Sequence, residues 1–267
     1  MTGGTPRSAP TFLADVPPGE ALLFLSAHLD DAVLSCGGLM AAVVDQHPLL
    51  VVTIFSEASP PPHTRAARTF LRQCGAPNAA TLFAERRAED RAVLDGLGAR
   101  VEHLGEVDAL FRRRGVPGPL HAAERLPELV HRYPTYRFDI ALGRVSRGDR
   151  KIVDDVTPRV RALADEVGAR TVFCPVGVGR HVDHLLTRRI GEALGLRVIH
   201  YSDFPYDLTH PTDPAFLAGH GAARRAFADG TADRERLVRG YTTQVDALFG
   251  DGTIPATPEV YYPEGVS

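Results

Sequence analysis

FLSAHLDDAVLSCGG, residues 24–38, opens on an apolar run, turns abruptly acidic and closes on a pair of glycines. With the residues before it, ALLFLSA (21–27) reads as a buried strand, and a helix follows from the two aspartates onward. Carboxylates at the edge of a core are costly unless something compensates their charge. An acidic helix start is one explanation, because Asp30 or Asp31 suits an N-cap. A metal ion is another.

The same alternation continues outward from this stretch. LLVVTIF (49–55), RVEHL (100–104), TVFCP (171–175) and RVIHY (197–201) read as further strands. The first two strands are nearly continuous in apolar residues, as parallel strands covered on both faces are. Helical spacing occupies 31–46, 84–97, 152–167, 185–194 and 234–248, with Gly98 as a stop signal. The alternation predicts an α/β fold with a mainly parallel sheet in a single domain. Residues 1–19 are predicted to be a flexible lead-in and not a signal peptide, and 20–267 to be the domain. SEASPPPHTR (56–65) and the stretch from RRRGVPGPLH (112–121) through GRVSRGDRK (143–151) read as long loops, with the Arg112–Arg114 run solvated.

The 267 residues are 44% apolar, enough for a substantial core, and the net charge of -3 gives no basic field for nucleic acid. Three cysteines, Cys36, Cys74 and Cys174, lack C-x-x-C spacing, which argues against a disulfide framework or a cysteine zinc cluster. No run approaches the ~18 apolar residues of a membrane span. The expected location is the cytoplasm. His47, His63, His103, His121, His131, His200, His210 and His220 show no metal spacing. The G-x-G-x-x-G of a dinucleotide fold is missing, so Gly37 and Gly38 are read as letting the first helix pack close to the sheet.

A second cluster follows the fourth strand, in GRHVDHLL (179–186). In a doubly wound sheet the first and fourth strands are neighbours, and ligands bind in the crevice at their carboxyl ends. His28, Asp30 and Asp31 should therefore meet His181, Asp183 and His184. A catalytic zinc takes three His or carboxylate ligands and leaves a fourth position for water. His28, Asp31 and His184 supply such a set, with zinc expected and another divalent ion as the alternative. Asp30 is then free to act as general base, and His181 to donate a proton or hold an oxyanion. Asp183 either orients a histidine, as ligand-supporting carboxylates do, or is an ordinary N-cap.

AHLDDAVLSCGG with GRHVDH resembles the PIG-L (LmbE-like) zinc-dependent deacetylases, whose pattern is A-H-P-D-D-E, a Gly pair and a later H-P-D-H. TIFSE, ending at Glu57, the R-x-x-E of RRAEDRAVLDGLG with Arg86 and Glu89, and YTTQ near the C-terminus extend the likeness. The resemblance implies a Rossmann-like three-layer fold and hydrolysis of an N-acetyl or other N-acyl group. It implies an amino-sugar conjugate such as an N-acetylglucosaminyl compound as substrate. It assigns the metal to His28, Asp31 and His184, the base to Asp30, and substrate binding to Glu57 and Arg86. Leu29 and Val182 replace the family prolines, and Ala32 replaces the Glu of the first motif. Two other readings stand beside it: an amidase on a larger amide conjugate, and a catalytically silent sugar- or nucleotide-binding protein.

Overall fold

A computed structural model describes residues 10–114 and 126–264. Strand β1 (Leu22–Ser26) leads into helix α1 (Asp31–Val43). Then come β2 (Leu49–Glu57), α2 (Arg65–Gln73), α3 (Ala79–Leu97) and β3 (Arg100–Val107). Short α4 (Pro127–Val130) and long α5 (Arg150–Val167) precede β4 (Thr171–Pro175) and α6 (Val182–Glu192). The chain continues through β5 (Arg197–Tyr201), α7 (Pro214–His220), β6 (Arg225–Phe227) and α8 (Thr231–Val238), and on to α9 (Thr242–Leu248) and β7 (Glu259–Pro263).

Among the described residues the sheet runs β3-β2-β1-β4-β5-β7-β6. The five strands from β3 to β5 are parallel, and β7 runs antiparallel to β5 and β6. Strand residues alternate between faces, and both faces are covered. Leu22, Phe24, Val51 and Phe173 pack under α1, with Phe24 and Phe173 stacked at 4.3 Å. Leu23, Leu25, Val52 and Cys174 pack under α5 and α6 on the other side. The strand order reverses between β1 and β4, which opens a crevice at their carboxyl ends.

The glycine pair serves a different contact from the one its sequence suggested. A Cβ on Gly38 would lie 2.6 Å from the carbonyl oxygen of Gly230, at the start of α8, so the close approach is helix to helix and not helix to sheet. Gly38→Ala has no flexible neighbour to displace. It is expected to lower stability by about 1–3 kcal/mol, the usual cost of overpacking, read as a lowered denaturation midpoint.

Four further features depart from the sequence reading. The single helix expected over 234–248 is two, α8 and α9, because the chain turns at Gly240 and buries Tyr241, whose hydroxyl donates to Asp90 at 2.8 Å. The short antiparallel strands β6 and β7 were not foreseen. Of the expected loops, Ser56 and Glu57 finish β2, and Thr64 caps α2 by accepting from the Ala67 amide. The described part of the arginine-rich stretch folds into short turns; 115–125 lie outside the described residues. Of the expected lead-in, Thr11–Leu13 form a 3-10 turn with Phe12 and Leu13 buried in the core, and 1–9 lie outside the described residues.

Candidate metal centre and active site

The crevice brings together His28, Asp30, Asp31, His181, Asp183 and His184, every one of them buried. The turn between β1 and α1 delivers the first three. Asp31 Oδ2 accepts from the His28 amide at 2.8 Å and lies 3.0 Å from His28 Nδ1. It also lies 3.3 Å from His184 Nε2. One carboxylate oxygen thus faces a nitrogen of each of two histidines, one from each of the two sequence clusters.

The other nitrogen of each ring is committed elsewhere. His184 Nδ1 lies 2.6 Å from Asp203 Oδ1, and Asp203 Oδ2 accepts from the amides of Gly177 and Val178, both at 2.7 Å. Gly177 has φ 83, which only glycine adopts readily, and this lets the loop after β4 wrap that carboxylate. His28 Nε2 lies 3.2 Å from Asp183 Oδ2 and 3.6 Å from Asp108 Oδ2. Histidines whose second nitrogen is held by a carboxylate are the usual metal ligands.

This arrangement fits a metal. His184 Nε2 is buried without a hydrogen-bond partner, yet it faces a carboxylate oxygen. With the proton on Nδ1, its lone pair would oppose that oxygen unless a cation lay between them. Donors about 2.0–2.2 Å from a tetrahedral ion stand roughly 3.3 Å apart, close to the spacings around Asp31 Oδ2. Two groupings here, His28, His181 and His184 and also His28, Asp108 and Asp183, hold their donor atoms within 4.8 Å of one another. In the absence of an ion the pocket draws protons. Burial opposes charge on His28, but hydrogen bonds to Asp183 and Asp31 and the nearby carboxylates outweigh it, raising the ring to about 10. His184 is likewise held well above its usual value: Asp31 and Asp203 overcome the burial.

Asp30 lies beside Asp31 and contacts Arg86 instead of the two histidines. Burial and the Asp31 charge push its carboxyl up to about 6, against the pull of Arg86 and His28. His181 is held well below its usual value by burial and by the His28 charge, so it is neutral. Its Nδ1 accepts from the Asp183 amide at 3.2 Å, which places the ring proton on Nε2. The set therefore offers a cation seat, a basic carboxylate and a neutral imidazole donor.

The family described as GlcNAc-PI de-N-acetylase (PIG-L) matches residues 23–194. A 2'-N-acetylparomamine deacetylase of Niallia circulans is 26% identical over 87% of this chain and 83% of its own. A protein of the same name from Streptomyces fradiae is 30% identical over 69% of this chain, which spans 57% of that relative. Among solved structures, a deacetylase of the teicoplanin biosynthesis pathway superposes with a TM-score of 0.68 at 25% identity, over 91% of this chain and 97% of the other. A second structure, of a deacetylase–teicoplanin complex, gives 0.67 at 25% identity over the same shares.

The chain belongs to the PIG-L family. Hydrolytic N-deacetylation is the chemistry of these relatives, and this PIG-L chain is an enzyme of that class.

Several site residues of this PIG-L domain escaped the sequence reading. Asp203 follows β5, and an acid directly after a strand is the same signal that marked Asp30 and Asp31. Asp108 follows β3 in the same way. Arg112 was expected on a solvated loop, but it is buried. It donates to Asp183 Oδ1 at 2.6 Å and to Asp149 Oδ2 at 2.8 Å, and its guanidinium lies 4.6 Å from the Phe55 ring centroid. Tyr133 donates to the same Asp149 oxygen at 2.7 Å. Asp183 thus joins His28 to a buried Arg–Asp–Tyr chain, and it also accepts from the Ala109 amide at 2.8 Å. Arg112→Ala removes the buried cation that Asp183 and Asp149 share. A loss of about 3–5 kcal/mol in stability is expected, measured by chemical denaturation, together with weaker metal retention.

The two residues expected at the substrate sit differently. Arg86 is buried and its Nη2 lies 3.4 Å from Asp30 Oδ2, so it faces the acidic turn. Glu57 pairs with Arg87 at 2.8 Å at the end of β2. Glu89 and the YTTQ stretch meet each other: Glu89 accepts from both hydroxyls of Thr242 and Thr243 and from the Thr243 amide, tying α9 to α3. Ala32, where the family has Glu, donates its amide to Ser26 Oγ at 3.0 Å. Tyr136 and Tyr206 flank the histidines, with ring centroids 5.9 Å from His181 and 5.7 Å from His184 respectively.

Proposed function

We propose that this protein is a zinc-dependent N-deacetylase that removes an acetyl group from a small-molecule amino-sugar conjugate in natural-product biosynthesis. The observation that carries the metal reading is Asp31 Oδ2, which faces both His28 Nδ1 and His184 Nε2, each ring anchored behind by a carboxylate. His28, Asp31 and His184 hold the ion. Imidazole and carboxylate donors at this spacing suit zinc. When bound, the ion supplies Lewis acidity, polarising the amide carbonyl and acidifying a water.

The chain's own groups do the rest. Asp30 takes the proton from the attacking water and returns it to the departing amine nitrogen. Arg86 holds Asp30 in place and keeps its pKa from rising further. His181, neutral and protonated on Nε2, donates to the oxygen that gains charge as the amide carbon becomes tetrahedral. Asp183 fixes the His28 ring and, through its amide, the His181 tautomer. Tyr136 and Tyr206 offer flat apolar faces for a sugar ring at the mouth.

The substrate class rests on the relatives' names, which speak of 2'-N-acetylparomamine and of teicoplanin biosynthesis. The test is incubation of zinc-loaded protein with N-acetylated amino-sugar conjugates, monitored by mass spectrometry. Loss of one acetyl mass and release of acetate is expected. Turnover of larger amides alone, with every acetamide untouched, would favour the amidase reading instead.

A further inference from the structure

A second cluster of metal-binding groups lies at the other end of α6. Glu192 is the last residue of α6, His200 sits in β5, and His220 is the last residue of α7. The donor atoms of all three lie within 4.8 Å of one another. Glu192 Oε1 is 3.1 Å from His220 Nε2 and 3.3 Å from His200 Nε2. The two rings cross at 75° with centroids 4.9 Å apart.

The hydrogen bonding at His220 decides how the cluster reads. Its Nδ1 lies 2.9 Å from the Phe216 carbonyl oxygen, an atom that only accepts, so the proton sits on Nδ1. Nε2 of the neutral ring then points a lone pair at a carboxylate oxygen. His200 is fully buried, and its Nδ1 has no hydrogen-bond partner. The Glu192 carboxylate and the His220 lone pair converge on His200 Nε2, which becomes the third Lewis base once its proton moves to Nδ1, and the contacts of 3.1 and 3.3 Å are longer than charge-assisted hydrogen bonds of about 2.7–2.9 Å. They match the roughly 3.3 Å separation of donors on a tetrahedral ion. α6 and α7 both end here, and the carboxyl end of a helix favours positive charge. Arg188 also faces the cluster, with Nε 3.4 Å from Glu192 Oε1, while its Nη1 donates to the Val176 carbonyl at 2.8 Å. It competes with a cation for the carboxylate and weakens the site without supplying a ligand.

We infer that Glu192, His200 and His220 form a second metal site, for a divalent transition ion such as zinc, which braces α7 against β5 and α6. Imidazole donors exclude magnesium and calcium as its natural occupants. His184 and Glu192 lie at opposite ends of one helix, about 12 Å apart at 1.5 Å per residue, so the two sites are separate.

The full-length protein, stripped of metal and dialysed against micromolar zinc, reads the number of ions by elemental analysis. Wild type is expected to hold two zinc ions. His220→Gln and Glu192→Gln should each hold one and keep deacetylase turnover. Zinc should raise the melting temperature of His184→Ala, which keeps only this second site, and should no longer do so in His184→Ala/His220→Gln. Circular dichroism shows whether each variant is folded, and Glu192 and His220, both more exposed than His200, are the positions least costly to change. Equal zinc content in wild type, His220→Gln and Glu192→Gln would overturn the inference. Retention of both ions in His184→Ala would count against the catalytic centre and leave the His220 result standing.

Discussion

His184→Ala is expected to release the catalytic ion and to lower turnover by at least about 10³-fold, since a Lewis acid supplies several kcal/mol at the developing charge. Of the three proposed ligands, His184 has the least freedom. Asp203 clamps its Nδ1, and Asp203 is in turn held by two backbone amides, so the ring cannot turn away. Truncation removes a donor that no neighbour can replace. Added zinc should not restore activity at concentrations that saturate wild type. The variant should still fold, because β1 and β4 pair through backbone and the packing of Leu186 and Ile190 is untouched. Full metal content with full activity would place the ion elsewhere, with His28, Asp108 and Asp183 as the next set to test.

Asp30→Asn is expected to keep the ion and lose two to four orders of magnitude in kcat, the range for removal of a general base. The carboxamide keeps the shape of the side chain and cannot take a proton. Zinc content and KM should stay near wild type. The wild-type rate needs Asp30 ionised, so it should rise with pH along an acidic limb. Burial lifts Asp30 to about 6, and a cation beside it moves that value down, so the limb belongs at or below pH 6. The limb should be absent from the variant. Loss of zinc from the Asp30→Asn enzyme would instead show Asp30 to be a ligand.

The parallel strands were legible because continuous apolar runs leave few alternatives, and β4 and β5 fall on the residues read as strands. Strand order then followed from the doubly wound pattern, and it is what brings His28 and His184 together. β6 and β7 were not legible: three residues carry little pattern, and Glu259 sits buried in a strand because it caps amides of Gly38 and Leu39 in α1. The site divides in the same way. His28, Asp30 and Asp31 share one turn, and their chemistry can be read locally. Asp108 and Arg112 arrive from the end of β3 and Asp203 from the end of β5, and only the folded sheet shows what they touch. Arg112 was misread for a physical reason, since an arginine run looks solvated until two buried carboxylates are seen to neutralise one member of it.

The Arg112 chain also bears on how this enzyme could be retargeted. Tyr133 and Asp149 belong to the segment that carries Tyr136 at the mouth, and through Arg112 they reach the carboxylate that orients His28. Substitutions there would be felt as altered metal affinity and not only as altered selectivity. Leu129, Phe138 and Leu142 lie on the same segment but are exposed. A combinatorial library aimed at new sugar conjugates should therefore randomise those three positions and hold Tyr133 and Asp149 constant. Variation at the mouth is then decoupled from the machinery beneath it.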